Sequence, residues 1–176
     1  GDPKLEAMAK KLQEEMPARA RVETRYDANL ARQIYAGADL FLMPSRYEPC
    51  GTSQMIAMRY GCAPLVRAVG GLHDTVTDGE SGFVFVDTKV KSFNDAVRRA
   101  LQFFPDQSRW AALQKAGMAK DFSWRASAEK YVNAYKKLIA ESAVPARDAY
   151  QPPAEKPRRR IREEQAANSI VHGEAT

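Results

Sequence analysis

Glu48 stands three residues ahead of Gly51-Thr52-Ser53, in a loop that reads Ser45-Arg46-Tyr47-Glu48-Pro49-Cys50-Gly51-Thr52-Ser53. A carboxylate at that point can accept hydrogen bonds from sugar hydroxyls. Small residues at a helix start can hold an anion, because the first N–H groups lack intrahelical acceptors and carry the positive end of the helix dipole. The two features a few residues apart suit a phosphorylated sugar. A plainer reading fits the same residues, with Glu48 a solvated loop residue or a helix cap. Gly70 and Gly71 divide in the same way, since glycines after a strand serve either close approach of a ligand or the geometry of a turn. Arg46 and Arg67 either face phosphates or lie on the surface.

The elements that must position these residues can be read around them. Asp39 to Met43 is a short apolar run bounded by turn signals and ended by Pro44, which predicts a buried strand of a parallel sheet. Thr52 to Tyr60 has the length and composition of a helix stopped by Gly61, so Gly51, Thr52 and Ser53 fall at its N-terminus. Ala63 to Arg67 and Gly82 to Val86 read as the last two strands. In open parallel sheets, ligands bind beyond the carboxyl ends of the strands, where the Glu48 loop falls.

Flanking helices follow from spacing and caps. Leu5, Met8, Ala9, Leu12 and Met16 form one core-facing stripe; Phe93, Ala96, Val97, Ala100, Leu101 and Phe104 form another. Asp2 is the expected N-cap with Pro3 at the first helical position, and Asp27 caps a helix running to Ala36 and closed by Gly37. Ser92 with Asp95 is similar to a capping box, and Pro105 follows the helix end. A last amphipathic helix runs from about Ala126 to Ile139, with Ala128, Tyr131, Val132, Tyr135, Leu138 and Ile139 on one face.

The stretch P-S-R-Y-E-P-C-G-T-S-Q-M-I-A-M-R-Y-G (Pro44 to Gly61), followed by V-R-A-V-G-G-L-H-D-T-V (Val66 to Val76), closely resembles bacterial glycogen synthases and plant starch synthases. Gly82 to Phe85 and Asp121 to Trp124 resemble the C-terminal landmarks of that family, and the likeness covers roughly residues 1 to 140. It implies a retaining glucosyltransferase that moves glucose from ADP-glucose to the non-reducing end of an α-1,4-glucan. The fold implied is α/β, a Rossmann-like parallel sheet with flanking helices, forming the C-terminal half of a two-Rossmann-domain enzyme. By the same resemblance Glu48 matches the glutamate that contacts the donor glucose. Cys50, Gly51, Thr52 and Ser53 match the helix start that holds glucose and phosphate, and Tyr26 matches the tyrosine stacked on adenine. Gly70 and Gly71 belong to the implied donor site as well.

The chain also departs from the family. Thr52-Ser53 stands where Leu-Thr is common, which keeps a hydroxyl at the second position. Ile56 occupies the place, eight residues after Glu48, where related nucleotide-sugar transferases carry a second glutamate; glycogen synthases lack it too. The family's acceptor-binding N-terminal domain and the first two strands of this one have no counterpart here, nor does the Arg-x4-Lys element that grips the diphosphate. With the usual strand order 3-2-1-4-5-6, Arg19 to Thr24 would be the third strand and Asp39 to Met43 the fourth, each with an unpaired edge. The expectation is a fragment of a longer polypeptide, poorly folded and inactive alone.

Composition bounds the remaining possibilities. A chain of 176 residues with 44% hydrophobic content supports one ordinary domain. Residues 1–142 read as the partial nucleotide-sugar-binding domain, and 143–176 as a disordered, charged, Pro-containing tail with a basic cluster at Arg158 to Arg162. Acidic neighbours and the lack of interleaved aromatics argue against nucleic acid as its partner, and the net charge of +5 fits a diphosphate site equally well. No apolar run approaches a membrane span. Cys50 and Cys62 are too few for a disulfide framework and suit a reducing cytoplasm, or a plastid in a plant. No metal is expected, and His73 and His172 read as surface or turn residues. A donor other than ADP-glucose, such as UDP-glucose, and a non-catalytic interaction module are the alternatives.

Overall fold

The computed structural model describes residues 2–142. The chain divides after Ser127 into two units, and the first contains the sheet. Three parallel strands, β1 (Leu40–Met43), β2 (Ala63–Arg67) and β3 (Phe83–Phe85), lie in the order β1-β2-β3. Leu42 pairs with Leu65, and Leu65 with Phe83. The fold is α/β with a Rossmann-like parallel sheet, as the sequence predicts.

Ala63 to Val66 are all buried, as expected of a central strand covered on both faces. Alternation sends Leu65 into one cluster with Phe83, Phe85, Ala96, Ala100, Trp110 and Leu113, while Val66 joins Met58, Leu72 and Val76 on the other side. The first cluster is covered by α5 (Val90–Phe103) and α6 (Gln107–Ala119), the second by α3 (Ser53–Arg59) and α4 (Gly71–Thr75). Trp110 anchors α6 against Phe83 and Phe104, with ring centroids 6.1 and 5.0 Å away. Burying side chains of this size stabilises the fold by about 1.5–3 kcal/mol each.

The caps foreseen at the first two helices are present. Asp2 accepts from Lys4 and Leu5 N–H at the start of α1 (Pro3–Glu15), and Asp27 accepts from Asn29 and Leu30 N–H at the start of α2 (Ala28–Gly37). Gly37 is the last residue of α2 rather than the one beyond it, and Ala38 is the C-cap.

Five expectations need correction. Asp39 to Met43 does contain a parallel strand, but not a buried one: no residue of β1 is buried and Leu42 is 47% exposed, because β1 lies at the edge of the sheet. Arg19 to Thr24 forms no strand, because no described strand lies beside it; Val22 N–H turns back to Gln13 Oε1 at 2.7 Å. The α1 stripe is not core: Leu5 and Met8 are 64% and 68% exposed, and α1 has no buried residue. Ser92 is no cap, because α5 begins two residues earlier, and Asp95 pairs with Lys91 and Arg98 instead. Leu101 faces solvent at the edge of the α5 stripe, leaving Ala96 and Ala100 as its buried members.

Helix α7 (Trp124–Glu141) begins in the first unit and continues into the second. Its face of Tyr131, Val132, Tyr135, Leu138 and Ile139 is exposed. The tail expected from residue 143 onwards lies outside the described residues. Among the described residues, no helix is long and apolar enough to cross a membrane.

Candidate functional site

The loop that joins β1 to α3 carries Glu48 and leaves the sheet at the carboxyl end of its edge strand, the side on which parallel sheets bind ligands. Glu48 is half-buried, and its carboxylate makes no hydrogen bond or ion pair with any described residue. That leaves its oxygens free to accept from a ligand. Gly51 turns the chain with φ +71°, a left-handed conformation that favours glycine, and Thr52 is the N-cap of α3. The first helical hydrogen bond runs from Ile56 N–H to Thr52 O at 3.0 Å, which sets the N–H groups of Ser53, Gln54 and Met55 ahead of the ladder.

The loop owes its shape to contacts with the next crossover. Gly71 N–H donates to Pro49 O at 3.3 Å. A Cβ on Gly71 would lie 2.7 Å from Cys50 Cα and closer still to the Cys50 carbonyl oxygen; one on Gly70 would collide with the Glu48 carbonyl oxygen. Gly70 also has φ +47°. The glycine pair therefore serves backbone-to-backbone packing against the Glu48 loop. Arg67 holds the loop from β2, with its guanidinium donating through Nε to Ser45 O at 2.7 Å and through Nη2 to Arg46 O.

Buried Gln54 completes the support. Its amide nitrogen donates to Gly51 O at 2.8 Å, Cys50 O at 3.3 Å and Thr75 Oγ1 at 3.1 Å. Sequence reasoning passed over this residue, although a lone amide on the inward face of an apolar helix is itself a signal.

The structure thus unites Glu48, Cys50, Gly51, Thr52, Ser53, Gly70 and Gly71 around one loop. Tyr26 lies one residue before the α2 cap and is 95% exposed. Cys50 is exposed and Cys62 buried, and both are free thiols. Burial, with the Asp39 charge nearby, pushes the Cys62 thiol up to about 11.

Beside the α3 start lies a groove of ≈ 620 Å³ whose walls include Thr52, Ile56, Arg59, Lys120, Asp121 and Phe122. The Ser123 N–H and hydroxyl hold the Asp121 carboxyl below its ordinary range, with Arg125 and Arg59 contributing charge. Among the described residues, no group of three or more His, Cys, Asp or Glu side chains is arranged to hold a metal ion.

A family model described as glycosyl transferases group 1 matches residues 1–115. The chain is 46% identical over 143 residues to a glycogen synthase of Koribacter versatilis, covering 78% of this chain and 30% of that protein. It is 44% identical over 149 residues to a glycogen synthase of Thioalkalivibrio sulfidiphilus, covering 80% and 31% respectively. Among solved structures it resembles the catalytic domain of starch synthase IV from Arabidopsis thaliana bound to ADP and acarbose. That match has a TM-score of 0.69 at 35% identity and covers 78% of this chain and 30% of that one. The chain thus spans about 30% of the length of the curated relatives it matches.

Proposed function

The chain belongs to the group 1 glycosyl transferases, and on that footing we propose that it is the donor-binding part of a glycogen or starch synthase. The donor is ADP-glucose and the acceptor the non-reducing end of an α-1,4-glucan, brought by sequence beyond this chain. The observation that carries this reading is the free carboxylate of Glu48 on a loop that runs directly into the start of α3.

In this reading Glu48 accepts hydrogen bonds from the glucose hydroxyls and orients the sugar. Thr52, Ser53 and the backbone N–H groups at the α3 start stabilise the charge that grows on the departing diphosphate. The Cys50-Gly51 backbone lies close to the sugar, and Tyr26 stacks on adenine. The acceptor hydroxyl attacks from the face that ADP leaves, so the anomeric configuration is retained. Closure of a second domain over the site excludes water, and the enzyme works in the cytoplasm.

The test is transfer of labelled glucose from ADP-glucose and from UDP-glucose by the complete polypeptide, with and without Glu48→Gln. The expected result is preference for ADP-glucose and a kcat loss of about 100-fold or more with ADP affinity nearly kept. Near-normal turnover by the variant removes Glu48 from the mechanism, and preference for UDP-glucose reassigns the donor.

A further inference from the structure

The hydrogen bonds around Gln54 form a longer path than loop support requires. Thr75 Oγ1, which accepts from the Gln54 amide, donates its own proton to Gly71 O at 2.6 Å. The Thr75 carbonyl accepts from Lys120 Nζ at 2.9 Å, and that ammonium also donates to Thr77 Oγ1 at 3.0 Å. Lys120 is the C-cap of α6 and immediately precedes Asp121-Phe122-Ser123, the short joint from which α7 starts. Hydrogen bonds at the hydroxyl and at the carbonyl of the single residue Thr75 therefore link Gln54, and through it the carbonyls of Cys50 and Gly51 in the candidate site loop, to the residue that caps α6.

The path has a defined direction. Reversing the Gln54 amide would aim its oxygen at the carbonyl oxygens of Gly51 and Cys50, so the donor arrangement fixes the side chain in one orientation. Gln54 is 0% exposed, and its Oε1 has no partner among the described residues. The amide is held by what its nitrogen donates to, and Thr75 is the one side-chain member of that set. Moving Thr75 therefore moves the point against which the loop is referenced, and Lys120 holds the Thr75 carbonyl from outside.

We propose that Gln54, Thr75 and Lys120 are positioning residues of one relay, through which the C-terminal end of α6 holds the Glu48–Ser53 loop in place. The relay itself stands on the hydrogen bonds above; only its consequence for nucleotide binding rests on the function proposed here.

The experiment compares Thr75→Val, Thr75→Ser and Lys120→Met in the complete polypeptide by amide hydrogen exchange, together with titration by ADP. Lys120→Met removes no contact to the loop, yet it should speed exchange at Cys50–Ser53 and Gly71–Leu72 by about tenfold, with α5 unchanged. Thr75→Val should do the same, and Thr75→Ser, which keeps the hydroxyl, should behave as the parent. ADP should bind about tenfold more weakly to both perturbed variants and normally to Thr75→Ser. Faster exchange confined to Thr75–Thr77 in Lys120→Met, or spread equally into α5, would overturn the relay, as would a serine variant as perturbed as the valine. If the exchange pattern is as expected but the unsubstituted complete polypeptide binds no ADP, the relay stands and the nucleotide reading alone fails.

Discussion

Replacing Gly71 with alanine would place a methyl group against the backbone of the candidate site loop. The new Cβ would stand 2.6 Å from the Cys50 carbonyl carbon and 2.7 Å from its Cα. Carbon atoms in contact prefer about 3.5–4.0 Å, so Cys50 must retreat by about 1 Å. No flexible side chain can give way, because the atoms met are all main chain. Overpacking of this kind costs about 1–3 kcal/mol, which for a chain of this size lowers Tm by roughly 3–10 °C. The retreat carries Glu48 and Gly51 with it, and a 1 Å misplacement of a positioned group can reduce turnover about 100-fold. Thermal unfolding by circular dichroism and loop chemical shifts read the two effects separately. Gly37 supplies the control: a Cβ there meets nothing within 4 Å at the end of α2, so Gly37→Ala should be neutral or stabilising by up to about 1 kcal/mol. An unchanged Tm and unchanged Cys50–Ser53 resonances in Gly71→Ala would refute the reasoning.

Four further outcomes are expected. With a thiol reagent at pH 8, Cys50 should label within minutes and Cys62 only on unfolding; equal rates would contradict the burial of Cys62 at 1% exposure. Because the folded Cys62 thiol titrates near 11 and the unfolded one near 8.5, its contribution is intact below the lower value and is lost as pH rises towards the upper, visible as falling denaturation midpoints above about pH 9. Partial burial opposes ionisation of Asp78, but Arg99 and the Val84 N–H outweigh it and hold its carboxyl below the usual range. Its stabilisation is therefore present above about pH 4 and lost as pH falls further, and Asp78→Asn should flatten the acid limb of a stability–pH curve. Tyr26→Ala should weaken ADP binding by about 1–3 kcal/mol if the ring stacks on the base, as read by calorimetry, without moving Tm, since the ring is 95% exposed.

The three strands and the α3 start were legible because each is bounded by residues with a fixed local meaning. Pro44 ends β1, Gly61 ends α3, and the apolar run of Ala63 to Val66 has no alternation because both faces are covered. The errors arise where local pattern needs a tertiary partner. Leu5 and Met8 have the spacing of a core face, but spacing cannot supply the surface to pack against. Helix α6 escaped notice because its sequence is only weakly one-sided, although Asp106 caps it by accepting from Arg109 N–H. At the candidate site, Glu48 and Gly51 to Ser53 were readable from residue type. The roles of Gly70, Gly71, Arg67 and Gln54 were not, because each is defined by a contact with the loop that is distant in sequence or hidden in the interior.

The Glu48 loop and its glycine brace both lie within Leu40–Phe85, a succession of strand, helix, strand, short helix and strand. Each parallel pairing there closes over one short crossover, and contacts between near neighbours in sequence form fastest. At ribosomal rates of about 5–20 residues per second, that stretch emerges in roughly 2–9 s. The loop and its Gly70–Gly71 support can then come together while α5, α6 and α7 are still being made. Lys120 arrives last among the residues that brace the loop, so a nascent chain would carry a formed but unreferenced site until α6 docks.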